Sequence, residues 1–250
     1  MTYSQDLILL LAGIAAGYIN VLAGGGSMLT MPVMVLMGLP APVANGTNRI
    51  AILAQSITSV AVFWRKGLSE FKLSISLALC TLPGAWLGAH SGVKLEGVWF
   101  NRLLALVMLI IMFVMMFERR LVSNDITKDN QPQRIWLTHG LMLVVGFYGG
   151  LLQVGVGFLI MAILHRVMGL DLIRVNVHKV FLVFPFTVLS LVIFATNTGV
   201  LWRTGIFLAV GMGVGGWLGA HMMIRKGERL IKIAFNLALL ALIVKLLFFS

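Results

Sequence analysis

Apolar positions in this chain run in long blocks rather than alternating. Segments 7–37, 43–64, 73–91, 100–117, 136–166, 176–195, 203–223 and 231–249 are almost wholly apolar, and short charged clusters separate them. Such blocks predict membrane-crossing helices, because a hydrocarbon core of about 30 Å takes about 20 residues of helix and offers backbone amides no water. Two of them, 7–37 and 136–166, are about 31 residues long, too long for one ordinary span. Each is interrupted near its middle, at Ala23-Gly24-Gly25-Gly26-Ser27 and at Val154-Gly155-Val156-Gly157-Phe158. Glycine costs a helix about 1 kcal/mol against alanine, so both clusters predict breaks.

Shifting the chain against itself by 131 residues aligns Gly24 with Gly155, Gly26 with Gly157, Gly38-Leu39 with Gly169-Leu170 and Asn45 with Asn176. The same register pairs Ser59 with Ser190, Phe63 with Phe194, and the Gly-x-Trp-Leu-Gly-Ala-His block at 84–90 with that at 215–221. Matches at Gly, Asn, Trp and His without a gap do not arise from shared apolarity. The chain is therefore read as a duplication, with a first membrane repeat at 1–118, a cytoplasmic linker loop at 119–134 and a second membrane repeat at 135–250. A repeat this long is a multi-helix half rather than a solenoid unit.

Composition agrees. With 60% apolar and 11% charged residues, the chain cannot cover itself with a polar surface, and lipid must solvate it. The net charge of +11 comes mostly from Lys and Arg at the ends of apolar blocks, which points to topology rather than to nucleic acid. The single cysteine, Cys80, lies in an apolar block and reads as packing. No Lys or Arg precedes the first block, so that block is read as a retained helix.

Charge also selects a topology. If the two broken blocks each cross once, both membrane faces carry similar numbers of Lys and Arg. If each turns back as a hairpin, one face collects Arg65, Lys66, Lys72, Arg119, Arg120, Lys128, Arg134, Arg166, Arg174, Lys179, Arg225, Lys226, Arg229 and Lys232, and the other keeps Arg49, Lys94, Arg102 and Arg203. The second arrangement obeys the positive-inside rule. The expected fold is therefore an all-α integral membrane protein, an inverted repeat of two halves, each a glycine-broken re-entrant hairpin plus three transmembrane helices, with both termini outside the cytoplasm.

A helix break in lipid must face protein or a wet cavity, since its amides need partners. The second hairpin arm is expected to begin near Ser27, a good N-cap, and a helix N-terminus aimed into the membrane is a ready anion site. Gly24, Gly25, Gly26, Ser27, Gly155 and Gly157 are the candidate backbone cradle. A second polar cluster follows each break: Asn45-Gly46-Thr47-Asn48-Arg49 and Asn176-Val177-His178-Lys179. Asn45, Thr47, Asn48, Asn176, His178 and Lys179 either complete the cradle, or the asparagines are ordinary N-caps and Lys179 and Arg49 reach for an interface. Asn20, Gln55 and Gln153 either face the bundle interior or tie helices together. His90 and His221 read as repeat-related structural residues, and Gly84, Gly88, Gly215 and Gly219 as close helix packing. No Asp or Glu lies inside an apolar block, which leaves His178 as the candidate for proton coupling.

At Leu22-Ala23-Gly24-Gly25-Gly26-Ser27, Pro32, Gly38-Leu39-Pro40 and Ala44-Asn45-Gly46-Thr47-Asn48, and again from Gly155-Val156-Gly157 to Asn176 and Lys179, the chain resembles the TauE/SafE family of sulfite and organosulfonate exporters. The resemblance implies an inner-membrane permease for small sulfur-containing anions such as sulfite, thiosulfate or an organosulfonate, with no cofactor and no enzymatic activity. Its expected partners are that anion and the bilayer, and self-association is left open. Two positions depart from the family pattern: Asn48 stands where many relatives have serine, and Phe158 replaces the counterpart of Ser27. The rival readings are a passive anion channel and a membrane hydrolase using Ser27 with His178 or His139 as base, which requires a Ser–His hydrogen bond.

Overall fold

The computed structural model describes residues 3–68, 70–95, 98–99, 102–103, 106 and 134–248, with side chains described as far as Gly227. Among the described residues eight helical elements follow one another: α1 (Tyr3–Ala23), α2 (Ser27–Leu36), α3 (Ala41–Arg65), α4 (Phe71–Val93), α5 (Ile135–Leu151), α6 (Val156–Arg166), α7 (Leu172–Asn197) and α8 (Trp202–Phe248), the last being two helices joined across a kink at Gly227, where φ is +62°. No strand occurs among the described residues. The predicted span at 100–117 and the linker at 119–134 fall almost entirely outside them.

α1, α4, α7 and the Trp202–Gly227 part of α8 are long and apolar enough to cross a bilayer. Helix α3 has comparable length but carries Asn45, Asn48, Arg49 and Gln55, all buried. Its polarity faces inward. Outward-facing residues are apolar instead, among them Leu11, Ile57, Leu79, Val144, Val192 and Val210, and Trp64, Trp86, Trp136, Trp202 and Trp217 are exposed. An apolar exterior over a polar-lined interior is what lipid solvation requires, with tryptophans suited to the interfaces.

Both long blocks break where glycines were expected. α1 stops at Ala23, Gly24 takes φ +87°, and α2 starts at Ser27; α5 stops at Leu151 and α6 starts at Val156 after Gly155 at φ +71°. α2 and α6 have 10 and 11 residues, about half the helix a bilayer core requires. Two local expectations differ. Ser27 is the first helical residue rather than the N-cap, a place taken by Gly26 without a side-chain bond. The asparagines are not caps either: α3 begins at Ala41 behind Pro40, and α7 is capped by Asp171, whose carboxylate accepts from the N–H groups of Ile173 and Arg174. α3 starts two residues and α7 four residues before its apolar block, and Asn45 and Asn176 lie on a buried helical face and not at a wet end.

Packing between the halves is reciprocal. α1 lies alongside α8, in parallel: Asp6 pairs with Arg203 at 2.7 Å, and further along Cβ atoms built on Gly211 and Gly215 would meet Leu10 O and Ile14 O at 2.3 and 2.1 Å. α5 lies alongside α4 in the same sense, with Gly84 and Gly88 against the carbonyls of Leu143 and Phe147. These approaches admit only glycine, which agrees with the close-packing reading of the Gly-x-Trp-Leu-Gly blocks. α3 also runs parallel to α8, from Ile50 against Gly205 to Ser59 against Gly216, and α4 runs parallel to α7, from Ser74–His178 to Gly92–Phe194. α3 and α7 oppose each other: Arg49, early in α3, lies over Phe194, late in α7. His90 and His221 behave alike, each bonding the carbonyl of the tryptophan four residues earlier, with ring centroids 4.6 and 4.5 Å apart.

Candidate functional site

The two breaks meet. Cα of Gly24 and the backbone of Gly157 are so close that a Cβ on Gly157 would sit 2.4 Å from Gly24 Cα. Beside this contact is a small cavity lined by Asn20, Gly24, Ser27, Ile52, Gln55, Ser56, Gln153, Val156, Gly157, Lys179, Val180 and Val183, with space for about one water molecule. The first turns of α2 and α6 thus both border it, and a helix start concentrates N–H groups and about half a positive charge. The halves are not equal here: Ser27 lines the cavity, whereas the ring of Phe158, its counterpart, packs over Gly25.

Breaking α1 and α5 in the interior strands the carbonyls of their last turns. The opposite half supplies the donors. Lys179 of α7 donates from Nζ to Asn20 O at 3.0 Å and Val21 O at 2.8 Å, and also to Asn176 Oδ1. Arg49 of α3 donates from Nη1 to Gly149 O at 3.1 Å and from Nη2 to Gly150 O at 2.6 Å, while Asn45 Nδ2 donates to Leu151 O at 3.0 Å. A cation from each half therefore binds the C-terminal end of the other half's broken helix, where positive charge is favoured; Asn45 joins Arg49 there, whereas Asn176 holds the Lys179 ammonium and donates to Leu172 O of its own helix. Neither cation snorkels; both are at most 2% exposed.

Around these, Asn20 Oδ1 accepts from the Gly26 N–H, and its amide donates to Gln55 Oε1. Asn48 accepts from Thr30 and donates to Ser27 Oγ, which fixes the start of α2. Tyr148 donates its hydroxyl to Val154 O across the second break. Of the residues singled out from sequence, Asn20, Gly24, Ser27, Gln55, Gln153, Gly157 and Lys179 line the cavity, and Gly25, Gly26, Asn45, Asn48, Gly155 and Asn176 do not. Thr47 is elsewhere, accepting from the Leu201 N–H at the start of α8. His178 is elsewhere too: Nδ1 pairs with Ser74 Oγ at 2.8 Å and Nε2 lies 3.6 Å from Glu70. Glu70 itself is held below the usual carboxylate range by the Arg174 guanidinium, 2.7 Å away. Ser27 bonds Asn48, His178 bonds Ser74 and His139 bonds Ser76, so among the described residues neither histidine meets Ser27, the serine that the hydrolase reading needs.

Ser56 is the polar cavity residue that the sequence did not single out, and Asn20, Gln55 and Gln153 are those it left undecided. A signal existed, since Asn45, Asn48, Ile52, Gln55, Ser56 and Ser59 recur at helical spacing along one buried face of α3.

The chain matches the family described as "Sulfite exporter TauE/SafE" over residues 9–246. It is 28% identical over 239 residues to the "Probable membrane transporter protein ORF9" of Sinorhizobium sp, covering 96% of this chain and 91% of that one. A "Probable membrane transporter protein" of Haemophilus influenzae is 26% identical, covering 90% of this chain and 88% of its own. The "Probable membrane transporter protein YfcA" of Escherichia coli is 26% identical, at 90% and 83%. No solved structure matches. A match that begins in α1 and ends in α8 leaves neither half unaccounted for, and this chain belongs to the sulfite exporter TauE/SafE family of membrane transporters.

Proposed function

We propose that the chain is a secondary transporter of small anions, sulfur oxyanions such as sulfite, thiosulfate or an organosulfonate among them, and that the anion passes between the two glycine breaks. The observation that carries this reading is the convergence of the α2 and α6 starts on one buried, polar-lined cavity. Two positive helix ends replace the hydration that an anion gives up on leaving water. A cavity with space for about one water is too small for a sulfur oxyanion, which favours a carrier that opens in turn over a standing pore. In proteoliposomes holding the purified protein, labelled sulfite uptake is expected to saturate and to accelerate when unlabelled sulfite is loaded inside. Linear, unsaturated flux would assign a channel, and no flux of sulfite, thiosulfate, sulfoacetate or acetate would defeat the reading.

The proposed architecture is an inverted repeat in the inner membrane, each broken block returning to the face it entered from, both termini outside the cytoplasm, and residues 119–134 a cytoplasmic linker. Support comes from the packing: α1, α3 and α8 share one direction, and their repeat counterparts α5, α7 and α4 share the other. The Glu70–Arg174 pair adds to this, because single crossings would put those residues on opposite faces. In a Cys80→Ser background, the substitutions Lys66→Cys and Arg166→Cys are expected to react with an impermeant thiol reagent from one face, and Pro40→Cys and Leu201→Cys from the other. Shared labelling of Lys66→Cys and Leu201→Cys instead would show that each broken block crosses once.

A further inference from the structure

We propose that the neutral groups of Gln153 and Ser56, and not the neighbouring cations, make the direct hydrogen bonds to the transported anion; this rests on the transporter reading above. Both residues line the cavity, both are at most 1% exposed, and each carries a buried polar atom without a partner, Gln153 Oε1 and Ser56 Oγ. Buried polar atoms are rarely left unpaired, so two such atoms at one cavity point to a ligand. Gln153 is also the one non-glycine residue with positive φ, +61°, among the described residues. A strained backbone that persists beside a cavity is a mark of function.

The amide can serve either polarity. Gln153 Nε2 donates to Thr187 Oγ1 at 2.5 Å, and a hydroxyl can accept from Nε2 or donate to Oε1 equally well. The amide can therefore turn end for end and keep its tie to Thr187, now presenting its NH2 to the cavity as a donor. Ser56, whose repeat counterpart is Thr187, offers a free hydroxyl from α3. Lys179 has no such freedom: its three N–H groups face Asn20 O, Val21 O and Asn176 Oδ1. Arg49 does not line the cavity. The cations supply field and hold the broken helices, while neutral donors contact the oxyanion.

Sulfite binding to the purified full-length protein, measured by calorimetry beside its melting temperature, tests this. The key variant is Gln153→Gly, which removes the amide and also relieves the positive φ. It is expected to melt no lower than wild type yet bind about tenfold more weakly, the loss typical of a buried hydrogen bond to a charged group. Ser56→Ala should weaken binding severalfold, and Gln153→Glu, which sets a carboxylate against the anion, should remove it. Wild-type affinity in both Gln153→Gly and Gln153→Glu would overturn the assignment and leave the transporter reading intact. Failure of the wild-type protein to bind sulfite, thiosulfate or sulfoacetate would overturn both.

Discussion

Gly157→Ala is expected to abolish anion flux in proteoliposomes and to lower the melting temperature of the purified protein. Its new Cβ would lie 2.4 Å from Gly24 Cα and 2.7 Å from Gly24 O, both backbone atoms that cannot swing aside as a side chain would. The reverse substitution, Gly24→Ala, meets Gly157 at 2.6 Å and adds the strain of φ +87°. Overpacking a well-filled interior costs about 1–3 kcal/mol, and separating two backbones at the point where both helix starts converge falls at the upper end or beyond. Gly140→Ala is the control. That glycine lies within α5 with nothing within 4 Å of its built Cβ, so alanine there should be neutral or slightly stabilising. Wild-type flux in Gly157→Ala would mean that the contact between the breaks is not needed for transport.

The second large effect is expected for Lys179→Met, which keeps much of the side chain's length but none of its donors. The carbonyls of Asn20 and Val21 and the Asn176 Oδ1 would lose the ammonium they share. At about 1–3 kcal/mol for each of the three orphaned groups, the sum is roughly 3–9 kcal/mol, a large fraction of ordinary folding stability. The end of α1 would also lose its compensating positive charge. Thermal unfolding in detergent should show a marked loss for Lys179→Met, with Arg49→Met similar because Gly149 and Gly150 are orphaned in the same way. A Lys179→Met protein that melts like wild type but fails to bind sulfite would return Lys179 to direct substrate contact. Loss of both properties is the outcome that the hydrogen bonds imply.

These two substitutions mark where reading the chain succeeded and where it stopped. The glycine breaks were visible because glycine and serine punctuate otherwise unbroken apolar blocks. Asn45, Asn176 and Lys179 stood out because polar groups in such blocks need a reason. Their partners were not visible. Lys179 reads equally well as a substrate ligand, an interfacial anchor or a cap for a distant helix, and its partners at Asn20 and Val21 are backbone atoms that any residue would supply. His178 and Thr47 lie within a few residues of the site in sequence, yet helical rotation turns them toward Ser74 and toward Leu201.

Membrane class, the duplication and both break points follow from order along the chain, because solvation by lipid and helix propensity act locally on each stretch. Partner choice does not. The exchange of α8 and α4 between halves, the cross-capping of α1 by Lys179 and of α5 by Arg49, and the meeting of Gly24 with Gly157 join residues far apart along the chain, through backbone atoms that carry no sequence signature. Only packing in three dimensions, where each stranded carbonyl must find a donor, selects them.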